Sequence, residues 1–455
     1  MEIEVGTQRS QLKTDNPDLL KAIRELYSLR VKGAEFSPAY KSGRWNGEKD
    51  FITSLGYFRT GILPRILKDL EKIDCKPVVN GSLRGDKCRM WKGCSSKSGD
   101  YELRDYQTEL VAKAMNAMRC IVKSPTGSGK TLIMAAILSV LEGKKVVIVF
   151  NAKQLIVQTY DFLKKCGIPS LGICFGEGYI YGNIMLTTVH SIEQVLDSHA
   201  VEAEVLMVDE AHEFARGKRN LTAIEGFENA RYRIGFTATP PTDKVDLLSL
   251  EGALGPVVES ANTKELIESD HLSKPIIQIF PMPNKKDLTN LAYQEIYETH
   301  ITKNDNRNGF ILNIVNQIKA TKDQARILIL VQSLEHATVL LKLIPGSYKL
   351  EGYDHVSTRY DTIKDFLGEK TSSVLIGTKI LQSGINIEEI SHFINARGLK
   401  SEIATLQALG RALRKHDSKA QVYIYDFLDK VKYLERHARN RIKAYKSEGH
   451  DVEIL

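Results

Sequence analysis

Apolar residues in this chain follow two rhythms. From Tyr101 onward, short and largely apolar runs alternate with longer stretches in which apolar residues recur every three or four positions. The runs are Cys120–Ser124, Lys145–Phe150, Ile184–Thr188, Val205–Val208 and Arg231–Phe236. Such runs leave no polar side for water, so they read as strands covered on both faces, and the periodic stretches between them read as the covering helices. A second series begins near Lys274, with strand candidates Ile276–Phe280, Arg326–Val331, Val374–Gly377, His392–Asn395 and Gln421–Asp426. Strand-then-helix repetition predicts a parallel sheet with helices on both faces, and here it predicts two.

The ends of the chain differ from this centre. Residues 1–95 mix a helix-like stretch, Pro17–Val31, with short aromatic strands and many turn residues, an α+β pattern. Asn80–Asp100, rich in Gly, Ser and Lys, reads as a loop or linker. Between the two series, Gly252–Ser273 carries Gly255-Pro256 and then the helix-like Thr263–Ser269, which suits a hinge. After the last strand, Val431, Leu434, Ala438, Ile442 and Tyr445 fall on one helical face, with Lys432, Arg436, Arg439, Arg441, Lys443 and Lys446 over the remainder. That helix reads as docked on the second sheet with a basic outer face; contact with phosphates is a compatible second reading. The expected domains are therefore 1–95, 101–257, 274–428 and a basic tail, 429–455.

Composition supports this division and narrows the class. A chain of 455 residues suggests about three domains, and 42% apolar with 26% charged residues fits folded globular protein rather than disorder. No apolar run approaches the roughly 20 residues a membrane span needs, and MEIEVGTQRS lacks a signal-peptide layout, so a cytoplasmic location is expected. The six cysteines include no CxxC pair, and Cys88 and Cys94 are too widely spaced for a usual zinc knuckle, which favours reduced thiols. The net charge of +7 is unevenly spread: residues 1–100 hold 19 Lys and Arg against 13 Asp and Glu, and residues 430–446 hold seven against one. Two basic flanks around an acidic centre would concentrate a polyanion, and nucleic acid is the natural one; a solvated charged surface remains open on charge alone.

The chemistry begins at Ser124-Pro-Thr-Gly-Ser-Gly-Lys-Thr131, between an apolar strand and a helix-like stretch, Leu132–Leu141. This is the context of a phosphate-binding loop. Thr126, Gly127, Ser128 and Gly129 would turn backbone N–H groups towards a phosphate, with the glycines offering no Cβ to obstruct it. Lys130 would neutralise β- and γ-phosphate charge, and Thr131 would place a hydroxyl on Mg²⁺. The strict pattern opens with Gly where this chain has Ser124. The second element is Val205-Leu-Met-Val-Asp-Glu-Ala-His212, an apolar strand delivering Asp209 for Mg²⁺ and Glu210 to activate the attacking water. ATP and Mg²⁺ are the expected ligands.

Three further motifs select among ATPases. The tetrapeptide Asp209-Glu-Ala-His212, the segment Phe236-Thr-Ala-Thr-Pro240 and the late Gln407-Ala-Leu-Gly-Arg-Ala-Leu-Arg414 make residues 101–428 resemble superfamily 2 helicases of the DEAH type. That resemblance implies two tandem RecA-like lobes with ATP between them. It implies that Leu103-Arg-Asp-Tyr-Gln107 reads adenine through Arg104 and Gln107, and that His212, Thr237, Thr239 and Gln407 couple hydrolysis to lobe movement. Asn151, Thr188 and His190 in the first lobe and Gln332 and Thr378 in the second would grip the nucleic-acid backbone. Gln382-Ser-Gly-Ile-Asn386 would bring Gly384 and Asn386 to the ribose, Asn386 standing where the family usually has Asp. Arg411 and Arg414, one turn apart on a helix, would act as arginine fingers on the γ-phosphate.

The N-terminal flank holds Phe36-Ser-Pro-Ala-Tyr-Lys-Ser-Gly-Arg-Trp-Asn-Gly-Glu-Lys-Asp-Phe51, which interleaves aromatic and basic residues. Arg44 could contact phosphate and Trp45 or Tyr40 could stack on an unpaired base, or Trp45 could anchor a turn on a small core. The flank resembles that of phage recombination helicases of the UvsW type. The combined expectation is an ATP-dependent helicase or translocase on branched or duplex DNA, with an RNA helicase or a translocase without strand separation as alternatives. The implied partners are DNA, with RNA as the alternative, and recombination or replication proteins. The implied location is the cytoplasm, a bacterial host's if the chain is phage-encoded.

Overall fold

The structure is a computed structural model, and it describes residues 1–81, 97–98, 101–176, 178–199, 202–215, 218–269, 271–283, 292–351, 356–378, 389–399 and 421–455. The N-terminal residues form a four-stranded sheet and a separate two-stranded ribbon. In chain order the strands are β1 (Glu2–Glu4), β2 (Arg9–Lys13), β3 (Ser28–Arg30), β4 (Glu48–Asp50), β5 (Tyr57–Arg59) and β6 (Val78–Asn80). The sheet runs β5-β2-β1-β6, and β3 pairs with β4 in a ribbon of their own among the described residues. The helix expected over Pro17–Val31 is shorter, Pro17–Leu26, started by Asn16 accepting from Leu19 N at 3.0 Å. It stops because Tyr27 is buried with its hydroxyl donating to Asp69 Oδ2 at 2.8 Å, after which Ser28–Arg30 gains partners in Glu48–Asp50.

This small layer shares its core with the next one. Ile3, Leu12, Ile23, Phe58, Ile66 and Leu70 pack together with Leu248, which belongs to helix Lys244–Leu254. Arg65 donates to Glu251 Oε2 at 2.7 Å, Lys49 donates to Ser249 Oγ at 2.8 Å, and Arg59 pairs with Glu225 at 2.5 Å. Burial raises the Glu251 carboxyl, against the opposing pull of Arg65. Gly61 lies against the carbonyls of Glu251 and Gly252, where a Cβ would collide with backbone. The chain divides into two compact units, residues 1–124 with 129–260 and residues 125–128 with 261–455. The N-terminal layer thus shares a unit with the first parallel sheet.

After β7 (Lys97–Ser98) and β8 (Tyr101–Glu102), which pair with each other, the first large sheet runs β12-β11-β13-β10-β14-β15-β9-β16. Its strands are β9 (Arg119–Lys123), β10 (Val146–Phe150), β11 (Leu171–Phe175), β12 (Gly178–Ile180), β13 (Ile184–Thr188), β14 (Val205–Val208), β15 (Tyr232–Thr237) and β16 (Val257–Val258). Every pairing is parallel except that of β11 with β12. Alternate residues face opposite sides, as the pleat requires. Val147, Val149, Met185, Leu206 and Val208 meet helices Lys218–Glu225 and Lys244–Leu254. Gly252–Leu254 closes that helix and Val257–Val258 adds a strand, so the link to the second unit lies beyond Val258.

The second sheet is parallel throughout, in the order β19-β20-β18-β21-β22-β17-β23. It comprises β17 (Lys274–Met282), β18 (Arg326–Leu330), β19 (Tyr348–Leu350), β20 (Ser373–Gly377), β21 (His392–Asn395), β22 (Gln421–Asp429) and β23 (Val452–Ile454). Leu328, Leu375, Phe393 and Ile424 face one side with Phe366, Ala438 and Tyr445; Ile327, Ile329, Ile376 and Phe427 face the other with helix Asp305–Thr321. The tail expected over 429–455 is part of this layer: helix Lys432–Ser447 packs on β22, and β23 pairs with β17. Arg441, assigned above to the basic outer face, is 1% exposed and faces inward. Its Nη2 and Nε donate to Asp426 at 2.8 and 2.9 Å, so a buried carboxylate has drawn it into the core. Among the described residues no helix is long and apolar enough to cross a membrane.

Candidate active site

Because the inner strands of the first sheet are parallel, their C-terminal ends share one edge, where ligands of open α/β sheets bind. Reading across that edge, β13 ends in Thr188 with His190 beyond it, β10 leads to Asn151, β14 to Asp209 and Glu210, β15 to Thr237 and Thr239, and β9 to Ser124 and the glycine loop. The first-lobe residues singled out in the sequence are therefore brought to one margin. Thr188 is buried with its hydroxyl 3.3 Å from that of Ser191, and His190 is exposed.

The loop after β9 turns through two glycines. Gly127 has φ +88° and Gly129 φ +81°, conformations in which a Cβ is strained. Gly129 caps helix Lys130–Val140, so uncompensated N–H groups and the positive helix end face the loop, with Lys130 and Thr131 half-buried in its first turn. Ser128 Oγ donates to Pro125 O at 2.6 Å. Thr126 Oγ1 is buried without a hydrogen-bond partner, an orphan that a phosphate oxygen would satisfy.

Gln107 and Arg104 sit beside this loop. Arg104 N–H donates to Gln107 Oε1 at 2.9 Å while Gln107 N–H returns to Arg104 O at 3.0 Å. The reciprocal pair fixes the first turn of helix Asp105–Ala117 and leaves Gln107 3% exposed. A Cβ on Gly129 would stand 2.5 Å from Gln107 Nε2, so the amide and the loop are closely packed. The glutamine is thereby oriented before any nucleotide arrives.

Asp209 N–H donates to Val149 O at 3.0 Å, which continues the sheet ladder to the edge. Glu210 then breaks it with φ 45° and ψ 51°, a left-handed conformation that costs an ordinary residue about 1–2 kcal/mol. Its Oε2 is buried without a hydrogen-bond partner, 3.6 Å from His212 Nδ1. Strain together with an unsatisfied carboxylate oxygen is a combination found where the backbone serves chemistry rather than stability. His212 is itself buried, with Nδ1 3.0 Å from Thr237 Oγ1. Thr239 N–H donates to that same oxygen at 3.2 Å, and Ser124 N–H donates to Thr237 O at 3.0 Å. A continuous path thus runs from the Glu210 loop through His212 and Thr237 to the start of the glycine loop.

The residues present suit a magnesium nucleotide. Among the described residues no three His, Cys, Asp or Glu side chains converge on one ion, so Mg²⁺ would be held by Asp209, the Thr131 hydroxyl and phosphate oxygens. There it would neutralise phosphate charge. Lys130 adds a cation, and the Glu210 carboxylate would be available to accept a water proton.

In the second unit, Gln332 follows β18 and is exposed, while Thr378 follows the neighbouring β20 and is buried. Leu330 and Gly377 are in register, so both residues lie at the C-terminal edge of that sheet. Gly384, Asn386, Gln407, Arg411 and Arg414 lie outside the described residues. Arg44 and Trp45 belong to the turn before β4, not to either sheet edge. Arg44 is exposed, and the half-buried Trp45 donates its indole N–H to Glu48 O at 2.6 Å, closing that turn.

One feature of the second edge has no counterpart in the motifs. Beyond β21, Ala396 O accepts from Arg307 at 3.2 Å, Arg397 O from the Tyr297 hydroxyl at 2.6 Å, and Leu399 O from Arg441 at 2.8 Å. Arg307 and Arg441 are held in turn by Asp429 and Asp426. Burial by itself would raise Asp426, but Arg441 and the hydrogen bonds around the carboxylate carry it below its usual value. Burial brings Arg397 down to about 10. Two aspartates in an otherwise apolar strand were the available signal.

Comparison with known proteins adds the following. Residues 100–242 match the family model described as type III restriction enzyme, res subunit, and residues 309–416 match the helicase conserved C-terminal domain. The chain is 24% identical over 474 residues to the ATP-dependent DNA helicase uvsW of Enterobacteria phage T4, covering 94% of this chain and 93% of that protein. In fold it resembles the ATP-dependent type ISP restriction-modification enzyme LlaBIII bound to DNA, with TM-score 0.59 and 15% identity over 78% of this chain and 31% of that one. It also resembles Saccharomyces cerevisiae Dbp5 bound to RNA and ADP BeF3, with TM-score 0.55 and 15% identity over 76% of this chain and 89% of that one.

Proposed function

Superfamily 2 of the helicases is the family to which this chain belongs, as a relative of UvsW, and on that premise we propose that it is an ATP-driven motor that unwinds or remodels branched DNA. Forks and four-way junctions, met in replication, recombination or repair, are the substrates this reading assigns. It places the protein in the cytoplasm, that of a bacterial host if phage-encoded, working beside recombination or replication proteins.

The observation that carries the proposal is the polar path in which the Glu210 carboxylate lies 3.6 Å from His212 Nδ1, and hydrogen bonds lead on from His212 through Thr237 to Ser124. A simple hydrolase needs Lys130, Asp209 and Glu210. A motor also needs a way for loss of the γ-phosphate to be felt elsewhere, and a short polar chain across three adjacent strand ends is one. Glu210 would accept a proton from the attacking water, Lys130 would hold the phosphates, and Arg411 and Arg414 would neutralise charge developing on the γ-phosphate. Asn151, Thr188, His190, Gln332 and Thr378 would contact the sugar-phosphate chain, which carries little sequence information and so permits movement.

The test is ATP hydrolysis titrated against fork, four-way junction, linear duplex, single-stranded DNA and RNA of matched length, with strand displacement followed in parallel. The expected order places branched DNA first, with hydrolysis abolished by Lys130→Ala and with Glu210→Gln retaining ATP binding while losing turnover. Stimulation by RNA and not by DNA would overturn the substrate assignment. Hydrolysis with DNA but no displacement would assign a translocase.

A further inference from the structure

Helix Lys432–Ser447 carries its cations in a single line. Lys432, Arg436, Arg439, Lys443 and Lys446 are all exposed, and their spacing of four, three, four and three residues keeps them within an arc of roughly 80° at 3.6 residues per turn. From first to last they span about 21 Å at 1.5 Å per residue. The helix has one acid, Glu435, which flanks the line and holds Arg439 at 2.6 Å. No carboxylate among the described residues pairs with Arg436, Lys443 or Lys446 within ion-pair distance.

The opposite side of the helix explains why the line is rigid. Leu434 and Ala438 are buried, Tyr445 donates its hydroxyl to Asp426 Oδ2 at 2.9 Å, and Arg441 is locked on the same carboxylate. A helix anchored by its own buried charge cannot roll, so the backbone positions of the five exposed cations are fixed relative to one another, while each side chain keeps its own rotamer entropy to lose on binding. A solvated surface helix needs no such alignment and usually interleaves acids with its cations to gain i,i+4 pairs.

We propose that this line is a binding site for the phosphodiester backbone of duplex nucleic acid, on the outer face of the second sheet and separate from its strand-end edge. About 21 Å exceeds the roughly 3.4 Å axial rise per phosphate of one strand several-fold, so the line is long enough to reach more than one phosphate of a duplex. Single strands are held by aromatic platforms as well as charge, and the line has no aromatic member: Tyr433 is half-buried beside it and Tyr445 is in the core. A row of cations on a fixed helix, without stacking groups, suits a ligand held by its phosphates alone. The site would hold the duplex arm ahead of or behind the motor without reading its sequence. The inference rests on the proposed action on DNA and extends it to a second contact.

The experiment compares the full chain with Arg436→Gln/Lys443→Gln/Lys446→Gln and with a control of equal charge, Lys319→Gln/Lys322→Gln/Lys342→Gln. The control residues are exposed on the elements covering the other face of the same sheet. Affinity for a blunt 30-base-pair duplex is measured from low to moderate salt. Each lost phosphate contact removes about 0.9 from the slope of log affinity against log salt, so the first variant should lose about 2.7 and the control should keep the parent slope. ATP hydrolysis without nucleic acid should be the same in all three. Equal slopes in all three proteins, or equal losses in both variants, would overturn the site, as would a loss seen with single strands and not with duplex. A parent chain that fails to bind duplex at all would instead sink the functional reading on which the site depends.

Discussion

Glu210 offers the sharpest test of whether strain at the site serves the chemistry. Its left-handed backbone places a Cβ where it costs about 1–2 kcal/mol, and its Oε2 is buried without a hydrogen-bond partner. Glu210→Ala removes the carboxylate and keeps the Cβ. Glu210→Gly removes both, but adds about 0.5–1 kcal/mol of chain entropy to be lost on folding. The glycine variant should therefore be more stable than the alanine variant by about 0.5–1 kcal/mol net, and the alanine variant no less stable than the parent, since an unsatisfied buried oxygen has gone. Native-state hydrogen exchange at Val205–Val208 and Tyr232–Thr237 reads this locally, without assuming that a two-unit chain unfolds in one step. The expected gain in protection from alanine to glycine is about two- to fivefold. ATP hydrolysis should be lost in both. A glycine variant less protected than the alanine variant would refute the strain argument, and hydrolysis retained by either would refute the role of the carboxylate.

Three further outcomes are expected. Gly61→Ala should drive a Cβ into the carbonyls of Glu251 and Gly252 and cost about 1–3 kcal/mol by overpacking; amides of β1, β2 and β5 should then exchange faster while those of β10 and β13 do not, and uniform exchange would count against a separable interface. Arg441→Met should destabilise the second unit by about 3–5 kcal/mol in urea unfolding, by stranding Asp426. Removing both charges with Arg441→Met/Asp426→Leu should recover part of that loss, and a double variant no better than the single would deny that the stranded charge is the cause. Burial depresses His336 to about 3 and His392 to about 4 from an ordinary 6.5. Both fold in the neutral form, so their stabilisation is complete above pH 6.5 and is lost as pH falls towards those values. The urea midpoint of the second unit should decline across that interval, less steeply in His392→Phe, and a flat profile would contradict the burial argument.

The sequence alone determined the two parallel sheets and the position of the glycine loop because both rest on local causes. A strand covered on both faces must be apolar along its length, so β10, β14 and β18 announce themselves wherever they fall in the chain. The glycine loop is equally local, since its two positive-φ glycines and the helix behind it are consecutive residues. The edge strands β12, β16, β19 and β23 went unread for the complementary reason: with one neighbour and a partly wet face, three residues such as Tyr348–Leu350 or Val452–Ile454 carry no distinctive run.

Tertiary structure decided whatever depends on residues far apart in the chain. Arg441 lies on the buried side of the same helix as the exposed Arg439, and only the approach of Asp426 from β22 supplies the partner that lets a guanidinium stay there. The end of the first helix at Leu26 depends on partners more than twenty residues away. Gly61 is required by a helix that begins at Lys244, and the left-handed turn at Glu210 is imposed on an ordinary residue by the strands and loops around it. Periodicity records how each segment meets water, so it carries the layers of the fold. It does not record which buried charge will find which partner, because that free energy exists only once distant segments have met in a medium where an unpaired charge is costly.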